Sequence, residues 1–110
     1  MAAIANLFVD QGTTFNTSVL VTNDAGSEFD LTGYSVAAQL RKSYSSSTAT
    51  DFTTAVSEPA TAGQINLTLS ATQTGALEEG RYVYDVEVTK DGIVTRVVEG
   101  LVTISPQVTK

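Results

Sequence analysis

The sequence contains no cysteine, no histidine and no tryptophan. Without cysteine there are no disulfide bonds, thiolate nucleophiles or thiolate metal ligands. Without histidine there are no imidazole ligands, no Ser-His-Asp catalysis and no histidine pH switch. The side chains that most often perform acid–base chemistry near neutral pH are therefore missing. We expect a protein that is not an enzyme, with no catalytic, cofactor-binding or metal-binding residues.

Positive charge is also scarce, since six lysines and arginines stand against twelve acidic residues, for a net charge of −6. A nucleic-acid binder needs a basic surface to displace counterions, and an anionic membrane repels an acidic chain. No apolar run approaches the roughly 20 residues that span a bilayer, and Met1–Asn6 lacks the features of an ordinary secretion signal. We expect no nucleic-acid partner and no membrane partner.

The chain has 110 residues, of which 42% are hydrophobic. This length supports one hydrophobic core, and the composition is typical of a folded rather than a disordered chain. We predict a single domain over residues 1–110, with residues 1–5 and 106–110 as extended arms.

Alternation of apolar and polar residues is the dominant pattern. Such alternation indicates strands with one buried face. The alternating runs lie at residues 5–10, 15–22, 34–41, 52–56, 65–69, 82–89 and 93–104. No segment predicts a helix longer than about two turns. Seven short strands predict an all-β fold, an immunoglobulin-like antiparallel β-sandwich, with a small barrel as the alternative.

Turn residues separate these runs. Asn23–Gly26 and Asp91-Gly92 predict turns, and the second of these predicts a hairpin between the last two strands. Gly100 interrupts the last run and predicts a β-bulge, while Val94 and Val98 are assigned to the same face.

The segment Leu77-x-x-Gly80-x-Tyr82-x-Tyr84 has the form of a tyrosine corner. In that feature a tyrosine near the start of the sixth strand donates a hydrogen bond to upstream backbone. The spacing favours Tyr82 over Tyr84. The alternative is that both tyrosines are core aromatics on the inner face.

Four residues are candidates for an interface with other proteins: Phe8, Arg41, Tyr44 and Arg96. Phe8 lies between Leu7 and Val9, and three consecutive apolar residues of a strand cannot all face one core. Phe8 is therefore either an exposed contact or a residue that fills the second face of a twisted end strand. The two arginines carry a third of the scarce positive charge, and each alternatively balances a nearby acid. Tyr44 lies in an unpatterned Ser- and Thr-rich loop, where it would be exposed.

Four segments together resemble a known group of proteins. They are Asp10–Phe15, Leu31–Lys42, Gly80–Val86 and Val97–Pro106. The layout is similar to small virion structural proteins of tailed phages of the cyanophage type, and to the N-terminal immunoglobulin-like domain of phage upper baseplate proteins. The resemblance extends from about residue 6 to residue 106.

The resemblance implies a non-enzymatic particle component that docks to tail, baseplate, neck or head proteins. It implies localisation in the virion after synthesis in the host cytoplasm, and self-association in a symmetric particle stays open. Baseplate proteins continue beyond such a domain into a helical linker and a receptor-binding part, whereas this sequence ends at Lys110. We therefore expect the module to stand alone here. The alternative function is a carbohydrate-binding module for host-surface adhesion, which needs an exposed aromatic platform.

Overall fold

The computed structural model describes residues 3–22 and 26–108. Two β-sheets pack face to face and enclose one core. The strands are β1 (Ala3–Ile4), β2 (Leu7–Asp10), β3 (Phe15–Leu20), β4 (Ser35–Arg41), β5 (Thr50–Asp51), β6 (Thr53–Val56), β7 (Gln64–Leu69), β8 (Gly80–Lys90) and β9 (Ile93–Ser105). A short 3₁₀ helix spans Ala60–Ala62, and helix α1 spans Ala71–Gly75.

The larger sheet has the order β1-β9-β8-β4-β5, with β2 also paired to β9, and the smaller sheet has the order β3-β7-β6. This arrangement confirms the predicted all-β, immunoglobulin-like sandwich. The strand pairs are antiparallel except that β1 and β2 run parallel to β9. The first segment of the chain crosses to the edge of the larger sheet instead of pairing with β3, and there it runs in the same direction as β9.

The core is built from the inward positions of the alternating runs. On β8, Tyr82, Tyr84, Val86 and Val88 are all buried, because alternate residues of a strand face the same side of a sheet. The largest fully buried side chains are Leu31, Leu40, Ile65, Leu67, Leu69, Ile104, Val9, Val21, Val86, Val88, Val98 and Val102. Apart from Val21 and Leu31, these aliphatic residues come from strands of both sheets, so burial of apolar surface between the sheets stabilises the sandwich.

The predicted bulge at Gly100 was wrong. The β8–β9 register shifts between Val86 and Glu87, so the extra residue on β9 is Val97. A bulge reverses which face the following residues occupy. Val97 and Val98 are therefore both buried, while Val94 is exposed and does not share the face of Val98.

Gly100 has a different function in the fold. A Cβ atom at Gly100 would overlap the carbonyl oxygen of Ala5. The glycine therefore permits the close approach of the N-terminal segment, which is the other recognised reason for a glycine inside a strand.

The N-terminal arm is not free along its described length. Ala3 and Ile4 form β1, and the N–H of Ala5 donates to the carbonyl oxygen of Glu99. At the other end, the N–H of Gln107 donates to Oε1 of Gln11 at 3.0 Å. The outer parts of both predicted arms lie outside the described residues, as does most of the predicted Asn23–Gly26 turn.

The predicted turn between the last two strands agrees with the backbone. Asp91 and Gly92 both have positive φ, as the two-residue β8–β9 hairpin requires. Ser70 accepts a hydrogen bond from the N–H of Gln73 and begins helix α1. This helix has five residues, and no helix in the described part of the chain has the length or apolar character to cross a membrane.

Candidate interaction surface

The outer face of the larger sheet collects side chains from several strands. Side chains that lie opposite each other in a ladder project from the same face. Phe8 lies opposite Thr103, and Arg41 lies opposite Val83, which in turn lies opposite Leu101. The register therefore places Phe8, Arg41 and Leu101 on one surface, although they are distant in sequence.

One end of this face is apolar. Phe8 is 73% exposed and Ile4 is 77% exposed, and Leu101 is also exposed between β2 and β8. Ile4 lies opposite Glu99, two residues before Leu101 and therefore on the same side of β9. We call Ile4, Phe8 and Leu101 the apolar edge. Three large exposed apolar side chains along one sheet edge are typical of a site that another molecule covers.

The centre of the same face is a shallow charged depression of about 340 Å³. Its walls carry both signs of charge and one exposed aromatic side chain. The residues that line it are Gln39, Arg41, Tyr44, Val83, Tyr84, Asp85, Glu87 and Arg96. We call this group the central depression, and Val83 joins it to the apolar edge through its pairing with Leu101.

Polar contacts hold the two arginines of the central depression in place. Nε of Arg96 lies 3.2 Å from Oδ2 of Asp85. Nη1 of Arg41 donates to the carbonyl oxygen of Ser46 at 2.7 Å, and Nη2 donates to Oε1 of Gln39 at 3.1 Å. Because a guanidinium has five N–H donors, both arginines keep donors for a further partner.

The four residues selected from the sequence thus lie on one face. Arg41, Tyr44 and Arg96 line the central depression, and Phe8 lies at the apolar edge. Sequence reasoning did not select Leu101 or Asp85 for this surface. Their positions depend on the register of β9 against β8, which the bulge at Val97 sets. The alternation within each strand indicates an outward side chain but not its neighbours.

Tyr82 lies near the start of β8 and is buried, and its hydroxyl donates to the carbonyl oxygen of Glu78 at 2.9 Å. A bond to backbone four residues upstream is the geometry that defines a tyrosine corner. Nζ of Lys42 lies 4.7 Å from the centre of the Tyr82 ring. Burial of the phenol raises the pKa of Tyr82 above its ordinary value. These contacts hold the start of β8, so Tyr82 is part of the framework and not of the interaction surface.

Tyr84 faces the core, and its hydroxyl donates to the carbonyl oxygen of Ala5 at 2.5 Å. Burial raises the pKa of Tyr84 to about 12. Its ring meets Phe52 edge to face, with centroids 5.9 Å apart. Tyr84 thus connects the first strand segment to the middle of the larger sheet.

The tyrosines do not form a platform for stacking a sugar. Tyr82 and Tyr84 are buried, and Tyr34 packs edge to face on Phe29 with centroids 5.3 Å apart. Tyr44 is 74% exposed, and no aromatic ring contact involving it occurs in the described part of the chain. The aromatic arrangement therefore gives no support to carbohydrate binding.

The carboxylates are dispersed over the surface. Across residues 3–22 and 26–108, no three acidic side chains come together closely enough to hold a metal ion. Asp30 accepts hydrogen bonds from Thr32, including one from its N–H at 3.0 Å, and these bonds lower the pKa of Asp30. This is the geometry of a local turn.

No protein-family model matches the chain, and no curated protein sequence matches it significantly. Among solved structures, InlP of Listeria monocytogenes is similar with a TM-score of 0.51 and 19% identity, over 92% of this chain and 26% of that one. A family 123 glycoside hydrolase from Clostridium perfringens matches with a TM-score of 0.45 and 12% identity, over 98% of this chain and 24% of that one. The chain thus spans about a quarter of each protein, and the similarity to InlP is one of fold.

Proposed function

We propose that this chain is a non-enzymatic structural domain that docks to other proteins through the outer face of its larger sheet. The observation that carries the proposal is that the apolar edge and the central depression adjoin each other on this face. Phe8, Arg41, Tyr44 and Arg96 come from distant parts of the chain and lie on this one face.

The composition of the face supports this function. Aromatic residues and arginine are enriched in protein interfaces and at their energetic centres. Phe8 and Tyr44 supply exposed aromatic area, and Arg41 and Arg96 supply unused guanidinium donors beside carboxylates. An apolar part gives binding energy, and a charged part of mixed sign selects the partner and its orientation.

The particle that we propose is the virion of a tailed phage, with tail, baseplate, neck or head proteins as partners. The support for this part is the resemblance of the Leu31–Lys42 and Gly80–Val86 segments to virion proteins. A domain that works only by association needs no cofactor and no catalytic group, which fits a chain without histidine or cysteine.

The experiment is incorporation into particles. The wild-type chain, Phe8→Asp and Arg96→Glu are each supplied during infection, and the chain is quantified in purified virions by mass spectrometry. We expect both variants to be depleted in virions at least about tenfold. Phe8→Asp places a charge on the apolar edge, and Arg96→Glu reverses a charge in the central depression, so each removes complementarity to the partner.

Ala55→Asp is the matched control, because Ala55 is an exposed small-sheet residue on the opposite face. It should be incorporated as the wild type is. Absence of the wild-type chain from purified virions refutes the particle assignment. Equal depletion of the control and Phe8→Asp refutes the assignment to this face.

A further inference from the structure

The smaller sheet carries no charged side chain. Its strands β3, β7 and β6 read FNTSVL, QINLTL and TTAV, so every lysine, arginine, aspartate and glutamate lies elsewhere in the chain. The outward positions are Asn16, Ser18, Leu20, Gln64, Asn66, Thr68, Thr53 and Ala55. This neutral surface is unusual in a chain with a net charge of −6.

One border of the neutral sheet is an open strand edge. In the described part of the chain β3 pairs only with β7, because β1 and β2 pair with β9 in the other sheet. In the four-stranded sheet of a constant-type immunoglobulin domain, the first strand covers this edge. The route of the first segment therefore leaves one side of β3 without a partner strand.

The backbone N–H and C=O groups on the open side of β3 belong to Asn16, Ser18 and Leu20. The N–H of Val21 donates to the carbonyl oxygen of Gly63 at 2.7 Å, so Val21 points its backbone towards β7. Successive residues of a strand point their backbone groups to opposite sides. The N–H and C=O groups of the three even-numbered residues consequently point away from β7, along the open edge.

The usual protection of an edge strand is absent from β3. Natural edges carry lysine, proline, a bulge or an inward charge, or they are very short. The β3–β7 ladder has six pairs without a register shift, and no charged residue or proline occurs between Asp10 and Asp24. Two other edge strands are better protected than β3. Strand β5 has only two residues, and β6 has only four and lies against β4.

We propose that β3 pairs antiparallel with β3 of a second copy of this chain about a two-fold axis, forming one continuous six-stranded sheet. Two copies that each carry a net charge of −6 repel each other, and the repulsion is smallest where the surfaces in contact carry no charge. The neutral sheet is such a surface. An antiparallel strand pair about a two-fold axis is complementary to itself, as a symmetric dimer requires.

The register follows from the three outward backbone groups. If Ser18 pairs with Ser18 of the second copy, Asn16 of each copy lies opposite Leu20 of the other. The backbone groups of all three residues then form hydrogen bonds across the axis. Each such pair exchanges two hydrogen bonds, which gives about six in total. Leu20 is 52% exposed, and this register covers it with the second copy's Asn16.

Self-association of the isolated chain tests this proposal. The proposed dimer uses the smaller sheet and the proposed docking function uses the larger one, so either proposal can fail without the other. Light scattering and sedimentation from about 1 μM to about 1 mM should show a monomer–dimer equilibrium. Ser18→Lys places like charges opposite each other across the axis and should raise the dimer Kd at least about tenfold. Ala55→Lys adds the same charge to the same sheet away from the edge and should leave the Kd unchanged.

A crosslink tests the register independently of any charge effect. Cα atoms of a hydrogen-bonded antiparallel pair lie about 5.5 Å apart, within the range that a disulfide spans. Since the chain has no cysteine, Ser18→Cys should give a disulfide dimer on mild oxidation, while Ala55→Cys should not. A wild type that is monomeric at about 1 mM overturns the proposal. Equal loss of dimer in both lysine variants, or equal crosslinking of both cysteine variants, also overturns it.

Discussion

The hydroxyl of Tyr84 donates a hydrogen bond to the carbonyl oxygen of Ala5, 79 residues away in the chain. Gly100 lies opposite Tyr84 on β9, and its missing side chain leaves the space that the Ala5 carbonyl occupies. This contact lies between β1 and β2, where the pairing of the first segment with β9 is interrupted. A core tyrosine and a strand glycine together hold the N-terminal segment against the larger sheet, and they thereby position Ile4 and Phe8.

The first prediction concerns Gly100→Ala. The added Cβ would overlap the carbonyl oxygen of Ala5, so the N-terminal segment must move. We expect a loss of about 1 to 3 kcal/mol in the free energy of unfolding, measured by urea denaturation. Gly75→Ala is the control, because a Cβ there meets only ordinary contact at 3.7 Å and favours the helix. Equal losses in the two variants would contradict this explanation of Gly100.

The second prediction concerns alkaline pH. An unfolded tyrosine ionises with a pKa of about 10, while folded Tyr84 keeps its proton to about 12. The unfolded state therefore releases this proton first, and the contribution of Tyr84 to stability is present below pH 10 and is lost as the pH rises towards 12. The Tyr84→Phe variant has no hydroxyl to ionise at this position, so it does not show this loss of stability.

Urea denaturation of both proteins at about pH 8 and about pH 11 measures the effect. The stability advantage of the wild type over Tyr84→Phe should shrink at the higher pH. All other ionising groups, including Tyr82, are common to the two proteins and cancel in the difference. An advantage that stays constant over this range would show that Tyr84 does not carry the pH dependence.

The third prediction concerns the tyrosine corner. Tyr82→Phe removes the hydrogen bond to Glu78 and leaves that carbonyl without this partner. We expect a loss of about 1 kcal/mol in the free energy of unfolding. Tyr34→Phe is the control, since the Tyr34 hydroxyl makes no hydrogen bond within the described residues, and it should change stability by less than about 0.5 kcal/mol. Similar values for the two variants would argue against a structural role for the corner.

The fourth prediction separates the surface from the core of β2. Phe8 is exposed and its neighbour Val9 is buried. Phe8→Ala should change the free energy of unfolding by less than about 0.5 kcal/mol, whereas Val9→Ala should cost about 2 kcal/mol through lost burial and a cavity. Thermal and urea unfolding measure both. A large loss in Phe8→Ala would mean that Phe8 serves the fold and not an interface.

Local patterns were sufficient for the strands and for most of the inner face. The alternation of Tyr82, Tyr84, Val86 and Val88 places them in the core, since the two-residue period of a strand fixes which side chains share a face. The Asp91-Gly92 turn follows from the preference of these residues for positive φ. Both features depend only on neighbours in the chain.

Other features depend on contacts between distant segments. The sequence contains Gly100 but does not show that Ala5 approaches it, so a bulge was the reasonable but wrong interpretation. The position of the true bulge at Val97 reverses the face of Val94 and Arg96 relative to Val98. Single-strand periodicity cannot reveal such a reversal, because it is defined by the pairing with β8.

The amino-acid sequence by itself determined an all-β sandwich and its buried alternating positions, because these follow from residue type and the period of a strand. Only the tertiary structure decided that the first segment joins β9 and leaves β3 open, and that Phe8, Arg41, Tyr44 and Arg96 share one face. The physical reason is that strand partners and register are chosen by hydrogen bonding and packing between segments far apart in the chain.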